Sequence, residues 1–160
     1  MPTPPYVLAL REKVGTALLW MPGATAVVLR PAPDGGADEV LLVERSDNGW
    51  WTPVTGVVDP GEHPATTAVR ECLEEAGVVC EVEGLVRVHV LPEMTYDNGD
   101  RAQYLDLTFR CRWVSGEPRA ADEESTDARW WPLDGLPDMP ADLRARLDLA
   151  VAWDGGPAHL

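Results

Sequence analysis

Apolar and polar positions alternate along two long stretches of this 160-residue chain. In one, Val82, Gly84, Val86, Val88 and Val90 are separated by more polar residues; in the other, Gln103 to Trp113, Leu105, Leu107, Phe109, Cys111 and Trp113 share a face. A period of two places such residues on one side of a strand, which predicts two long antiparallel strands. The loop between them, PEMTYDNGDRA, carries the favourable turn pair Asn98-Gly99 and is expected to be exposed. Earlier in the chain, the apolar runs Ala24 to Arg30 and Glu39 to Glu44 flank the turn-rich PAPDGGAD and predict two adjacent strands. Tyr6 to Trp20 predicts another strand or a short hairpin arm, separated from the next by the turn signal Pro22-Gly23. Arg129 to Leu133 predicts a short final strand.

The period changes between Gly56 and Val78, GVVDPGEHPATTAVRECLEEAGV. At about 100° per residue, Ala65, Ala68, Val69, Cys72, Leu73 and Ala76 form one stripe, which predicts a helix docked on a core. Pro64 suits its first position, His63 its N-cap, and Gly77 the left-handed residue after its end. A second amphipathic helix follows PLDGLPDMP, with Leu143, Leu147, Ala150 and Val151 on one side. Strands around one crossover helix, then a meander and a terminal helix, predict an α/β fold whose mixed sheet is covered on both faces. The organisation expected is an N-terminal arm or strand over 1–23, one domain over 24–153 and a tail over 154–160.

The polar side of the first helix changes the picture from fold to chemistry. Glu71, Glu74 and Glu75 are spaced i, i+3 and i+4, so three carboxylates are neighbours, expected on the solvent side, and repel one another. Arg70 can reach Glu74, yet one guanidinium leaves a surplus of negative charge that suits a divalent cation with oxygen ligands. The bland alternative is a solvated acidic helix face. Composition narrows the partners: 27 acids against 13 bases give a formal charge of −14. That balance argues against polymeric nucleic acid or an anionic membrane, both of which need a basic footprint. A small phosphorylated substrate stays compatible, because a bound cation inverts the local field. Cys72, Cys80 and Cys111 lack CxxC spacing, suit a reducing compartment and are read as structural. With no leader-like or spanning apolar segment, a cytoplasmic protein is expected.

The order Gly56, five residues, Glu62, seven residues, Arg70-Glu71-Cys72, one residue, Glu74-Glu75, one residue, Gly77-Val78 resembles the signature of the Nudix (MutT-like) hydrolases, G-x5-E-x7-R-E-U-x-E-E-x-G-U. All seven fixed residues are present, a match with a chance probability on the order of 10⁻⁹ per start position. Cys72 occupies a position that usually holds an aliphatic residue, and a buried thiol packs as a small hydrophobe. Thr55 also stands where the family has the first glycine of a pair. The resemblance implies an α/β/α sandwich with a mixed sheet and a loop-helix catalytic motif. It implies a pyrophosphohydrolase that uses Mg²⁺ or Mn²⁺ to cleave a nucleoside diphosphate linked to another group, such as a nucleotide-sugar like ADP-ribose, or a nucleoside triphosphate. By position, Glu71, Glu74, Glu75 and the Gly56 carbonyl resemble the metal ligands, and Arg70 with Glu62 the pair that steadies the helix.

Other candidates stand outside the signature. Glu124, with Glu123 as its competitor, lies in SGEPRAADEESTD at a spacing similar to that of an acid that reaches the metal in several Nudix enzymes, and this loop is expected to close over the site. Trp50, Trp51 and Tyr96 could stack on a base or simply pack. No histidine has a triad-like partner, so nucleophilic catalysis has no support. A silent nucleotide-binding or regulatory module is the alternative function, and the apolar N-terminal segment is expected to form a homodimer.

Overall fold

The computed structural model describes residues 3–160. Helix α1 (Pro5–Val14) is followed by strands β1 (Leu19–Arg30), β2 (Glu39–Arg45), β3 (Trp51–Thr52) and β4 (Val54–Val57). Then come helix α2 (Pro64–Ala76), strands β5 (Val79–Val90), β6 (Met94–Thr95), β7 (Arg101–Ser115) and β8 (Ser125–Pro132), and helix α3 (Ala141–Ala152). The strands form one mixed sheet in the order β3-β2-β1-β7-β5, with β4 also on β1, β6 on β7 and β8 on β2. β1 runs parallel to β7 without a register shift, while β5 meets β7 antiparallel through several bulges. The α/β class, the mixed sheet and the long β5–β7 pair are as predicted, and Leu107, Phe109, Cys111 and Trp113 of β7 share the α2 side. On β5 the expected row is broken by bulges, which leave Val82 on the α2 side and turn Val86 to the α3 side. β1 and β2 are adjacent, with Leu29 opposite Val40.

Two expectations near the N-terminus are corrected. Tyr6 to Trp20 is not one strand: Pro5–Val14 is helical, and only Leu19 and Trp20 join β1. Leu8, Ala9, Leu10, Arg11, Glu12 and Lys13 are all good helix formers, Pro5 suits the first turn, and Gly15 at φ 58° stops the helix. Nor does Pro22-Gly23 turn the chain. Pro22 directs its carbonyl to the Val58 amide (3.1 Å), beyond the end of β4, and its absent N–H costs no ladder bond there.

Even positions of β1 face α2 and odd positions face away. On the α2 side, Ala24, Ala26, Val28, Phe109 and Cys111 pack with Ala68, Cys72 and Ala76. On the other, Val27, Leu42 and Val86 pack with Leu147 and Ala150 of α3. α1 caps the same face further along, setting Val7 on Met21 and Ala102. All three cysteines are free and buried. Among the described residues, no helix is long and apolar enough to cross a membrane.

A buried polar network fastens α3 to the sheet. Arg146 Nη1 donates to Thr25 Oγ1 (2.8 Å) and Asp106 Oδ1 (3.0 Å), and Thr25 Oγ1 donates to that same oxygen (2.6 Å). Thr108 Oγ1 donates to Asp106 Oδ2 (2.7 Å), so both oxygens of this buried carboxylate are met.

Candidate functional site

The caps of α2 are those its sequence implies. His63 Nδ1 accepts from the Ala65 amide (3.2 Å), Pro64 opens the helix, and Gly77 closes it at φ 68° with its N–H on the Leu73 carbonyl (3.1 Å). The burial of the helix is less as expected. Leu73 is 54% exposed and leaves the core stripe, while Glu71 and Glu75 are only 1% and 5% exposed. The three acids therefore do not share a solvent face; Glu74 alone stands in the open. The packed side of α2 is rotated toward Glu71 and Glu75: Gly56 of β4 lies against Glu71, and the 116–124 chain meets the helix at Glu75 and Ala76.

Gly56 in β4 lies directly against Glu71. A Cβ on Gly56 would stand 2.3 Å from Cγ, Cδ and Oε1 of Glu71, so only glycine permits the approach. Arg70 spans the acids in the other direction. Its Nε and Nη2 grip the two oxygens of Glu62 (both 2.9 Å), and its Nη1 donates to Glu71 Oε1 (2.8 Å) and Glu74 Oε2 (2.9 Å). Thr67 Oγ1 adds a bond to Glu62 (2.7 Å). The bonds from Arg70 hold the Glu62 carboxyl down at about 2, so it stays ionised and locks the guanidinium in place.

The buried pair behaves in the opposite way. Burial pushes Glu71 up to about 7 despite Arg70. Burial, and then the charge of Glu71, pushes Glu75 up to about 8, with Glu124 and Asp122 adding to it. Glu71 Oε2 is buried with no hydrogen-bond partner among the described residues. A carboxylate oxygen in that state costs several kcal/mol unless a proton or cation meets it. Among the described residues no three of His, Cys, Asp and Glu are grouped closely enough to hold a metal as they stand. Arg70 draws Glu74 and one oxygen of Glu71 to itself, which accounts for the spread.

The remaining candidates fall in different places. The 116–124 loop already lies against the end of α2, with the Arg119 and Ala121 amides on the Ala76 and Glu75 carbonyls (both 3.0 Å). It needs no closing movement to bring Glu124 within the field of Glu75. Glu124 is half-buried and its carbonyl accepts from the Ser46 amide (2.8 Å), whereas Glu123 is exposed. Trp51 packs edge-on to Trp131 (5.3 Å) in the α3-side cluster under Arg129. Tyr96 pairs its hydroxyl with that of Tyr104 (2.8 Å), which belongs to the α1-side cluster. Trp50 is exposed. Trp51 and Tyr96 are not brought to the carboxylates, whereas the Trp50 carbonyl accepts from the Arg45 amide (2.9 Å). Arg45, by contrast, escaped the sequence reading: held first by Asp47, it also sits in the field of Glu75 and Glu124. It lies outside the signature, at the end of β2, where pairing with β8 sets it opposite Ser125, next to Glu124. An open groove of about 470 Å³ between Ala65, Thr66, Val69 and Cys80 to Val82 lies on the opposite flank of α2, away from these acids.

The NUDIX domain model matches residues 20–153. A MutT-like protein of Streptomyces ambofaciens is 34% identical over 76% of this chain and 72% of its own length. The NAD-capped RNA hydrolase NudC of Pseudomonas aeruginosa is 35% identical over 76% of this chain, which spans only 43% of that protein. In structure, an ADP-ribose pyrophosphatase from Streptococcus suis aligns over 87% of this chain and 97% of its own, with a TM-score of 0.65 at 20% identity, a likeness of fold.

Proposed function

This chain belongs to the Nudix hydrolase family, and from that premise we propose that it is a divalent-metal-dependent pyrophosphohydrolase acting on a nucleoside diphosphate linked to another group. The observation that carries this reading is the buried, unpartnered Oε2 of Glu71, held beside Gly56 and followed one helical turn later by buried Glu75. An all-oxygen donor set of carboxylates and the Gly56 carbonyl fits Mg²⁺ or Mn²⁺, and Glu71, Glu74, Glu75 and Gly56 are the residues that would hold it. When bound, such a cation neutralises phosphate charge and lowers the pKa of a water.

The chain's own residues supply the rest. Glu62 anchors Arg70, and Arg70 holds Glu71 and Glu74 to one guanidinium, which limits how far these donors can swing. Glu124 is the residue we assign to accept the water's proton or to add a further ligand; its position in the field of Glu75 supports that role. The NudC relatives, named for hydrolysis of NAD-capped RNA, support a nucleoside diphosphate core in the substrate. The strongly acidic surface favours a small nucleotide over a polymer.

The test is a release screen over nucleotide-sugars, dinucleotides and nucleoside triphosphates with Mg²⁺. A nucleoside monophosphate product that EDTA abolishes is expected; folded protein that binds nucleotides and releases nothing would leave a silent binding module instead. We also propose a homodimer through the exposed Leu8, Leu10 and Val14 of α1. A monomer in sedimentation at micromolar concentration overturns it.

A further inference from the structure

Beside the carboxylates, the α2 face of the sheet continues past the helix and lies open. Because β1 pairs with β7 in unbroken register, Trp20, Pro22 and Ala24 share the face that α2 packs on, opposite Gln103, Leu105 and Leu107. Ala24 is covered, 2% exposed, and is paired to Gly56, the residue in contact with Glu71. Pro22 is exposed and Trp20 is 55% exposed. Their odd neighbours Met21 and Gly23 are buried against the other face, so Trp20 is not a frayed end but an ordered side chain aimed at solvent. Val90, 48% exposed and opposite Leu105, completes the row on the β5 side.

We propose that this platform of Trp20, Pro22, Leu105 and Val90 holds the base of the substrate's nucleoside, with the Trp20 indole as its stacking surface. The inference rests on the hydrolase reading above and adds a residue to it. Four residues of strand separate Trp20 from Ala24, so the indole stands about 13 Å along the sheet from the Gly56–Glu71 contact. A nucleotide whose diphosphate sits at the carboxylates extends its ribose and base over such a distance. The platform is apolar and continuous with the acidic site, which matches an amphiphilic ligand with one charged and one aromatic end. In a protein of charge −14, phosphate binding gains little from the protein's own field, and stacking supplies affinity that is indifferent to charge. The aromatics that composition suggests for this task, Trp51 and Tyr96, belong to the opposite face.

Trp20→Ala and Trp20→Phe, compared with the wild-type chain, test this in two assays. With Mg²⁺ and ADP-ribose, or whichever nucleotide the release screen finds, Trp20→Ala is expected to raise KM about tenfold, and Trp20→Phe to restore it to within about threefold. For a base-free diphosphate such as phosphoribosyl diphosphate, KM changes less than twofold in both. In the second assay, ADP titrated without turnover quenches the wild-type indole fluorescence, and Trp20→Phe removes most of that quench. Equal KM values for all three proteins on a nucleotide that the wild type hydrolyses would overturn the platform while leaving the hydrolase intact. So would a dimer lost in Trp20→Ala with KM unchanged, which assigns the surface to a second copy. No hydrolysis of any nucleotide by the wild type overturns both readings at once.

Discussion

Two buried carboxylate centres lie on opposite faces of one sheet, and they are built on opposite principles. Asp106, facing α3, receives donors on both oxygens from Thr25, Thr108 and Arg146. Glu71, on α2 itself, keeps one oxygen unmet, and Glu75 beside it has no ion pair among the described residues. Burial of an acid is therefore not what marks a site. Asp106 is charge spent on fastening α3, whereas Glu71 and Glu75 are buried acids whose stabilising partner is left to be a proton or a cation.

Asp106→Ala strikes the first centre and should have the largest effect. It leaves Arg146 with Asp142 as its one remaining carboxylate and strips Thr25 and Thr108 of their acceptor, at a cost of about 3 kcal/mol. Thermal melting should fall by roughly 10 °C while turnover, measured well below the melt, stays close to wild type. A large loss of turnover with an unchanged melt would erase the contrast between the faces.

Glu75→Gln strikes the second centre. Turnover at saturating Mg²⁺ is expected to drop by at least about 100-fold, or roughly 2.7 kcal/mol in the barrier. Without metal the same variant should melt higher than wild type, since a neutral amide replaces an acid that burial disfavours. Glu74→Gln should lose similar activity without that gain, because Glu74 is already exposed. Full activity in both variants removes the metal assignment.

The two faces should also differ in their dependence on pH. Glu71 and Glu75 keep their protons up to about 7 and 8 in the folded chain, against an ordinary 4.5. Between those values the native state binds more protons than the unfolded state, so stability falls as pH rises. Their contribution is complete below pH 4.5 and is lost as pH rises through 7 to 8 in the metal-free protein. Saturating Mg²⁺ should flatten this slope. Glu62, held near 2 by Arg70, has the opposite sign, giving stability above 4.5 that is lost as pH falls toward 2. Denaturant melts from pH 5 to 9, with and without Mg²⁺, measure the difference; a metal-free slope that rises with pH would contradict the burial of the Glu71–Glu75 pair.

The smallest effect expected is that of Arg70→Ala, a slowing of about tenfold as Glu71 and Glu74 lose their common anchor. Arg70→Lys should recover little, since a single ammonium cannot span Glu62, Glu71 and Glu74 as the guanidinium does. Recovery by lysine would reduce Arg70 to a source of charge rather than of geometry.

What the chain alone determined is local. The spacing from Gly56 to Val78, the caps His63 and Gly77, and the alternation of β7 follow from period and backbone chemistry, which act between near neighbours, whereas the bulges that divide Val82 from Val86 on β5 are set by its pairing. Helical spacing likewise fixed the angles between Glu71, Glu74 and Glu75, but not where the buried arc of α2 ends. That limit is set by β4, whose Gly56 lies on Glu71 and leaves Leu73 outside. Trp20 was less legible still: the Pro22-Gly23 signal set it apart from the strand it opens, and which face stays open depends on where α1 and α2 stop covering the sheet. Asp106 and Arg146 are 40 residues apart, and no local pattern announces that they meet. Burial and charge pairing are properties of surfaces brought together over long sequence separations, so the tertiary structure alone decided which acids this protein satisfies and which it leaves waiting for a cation.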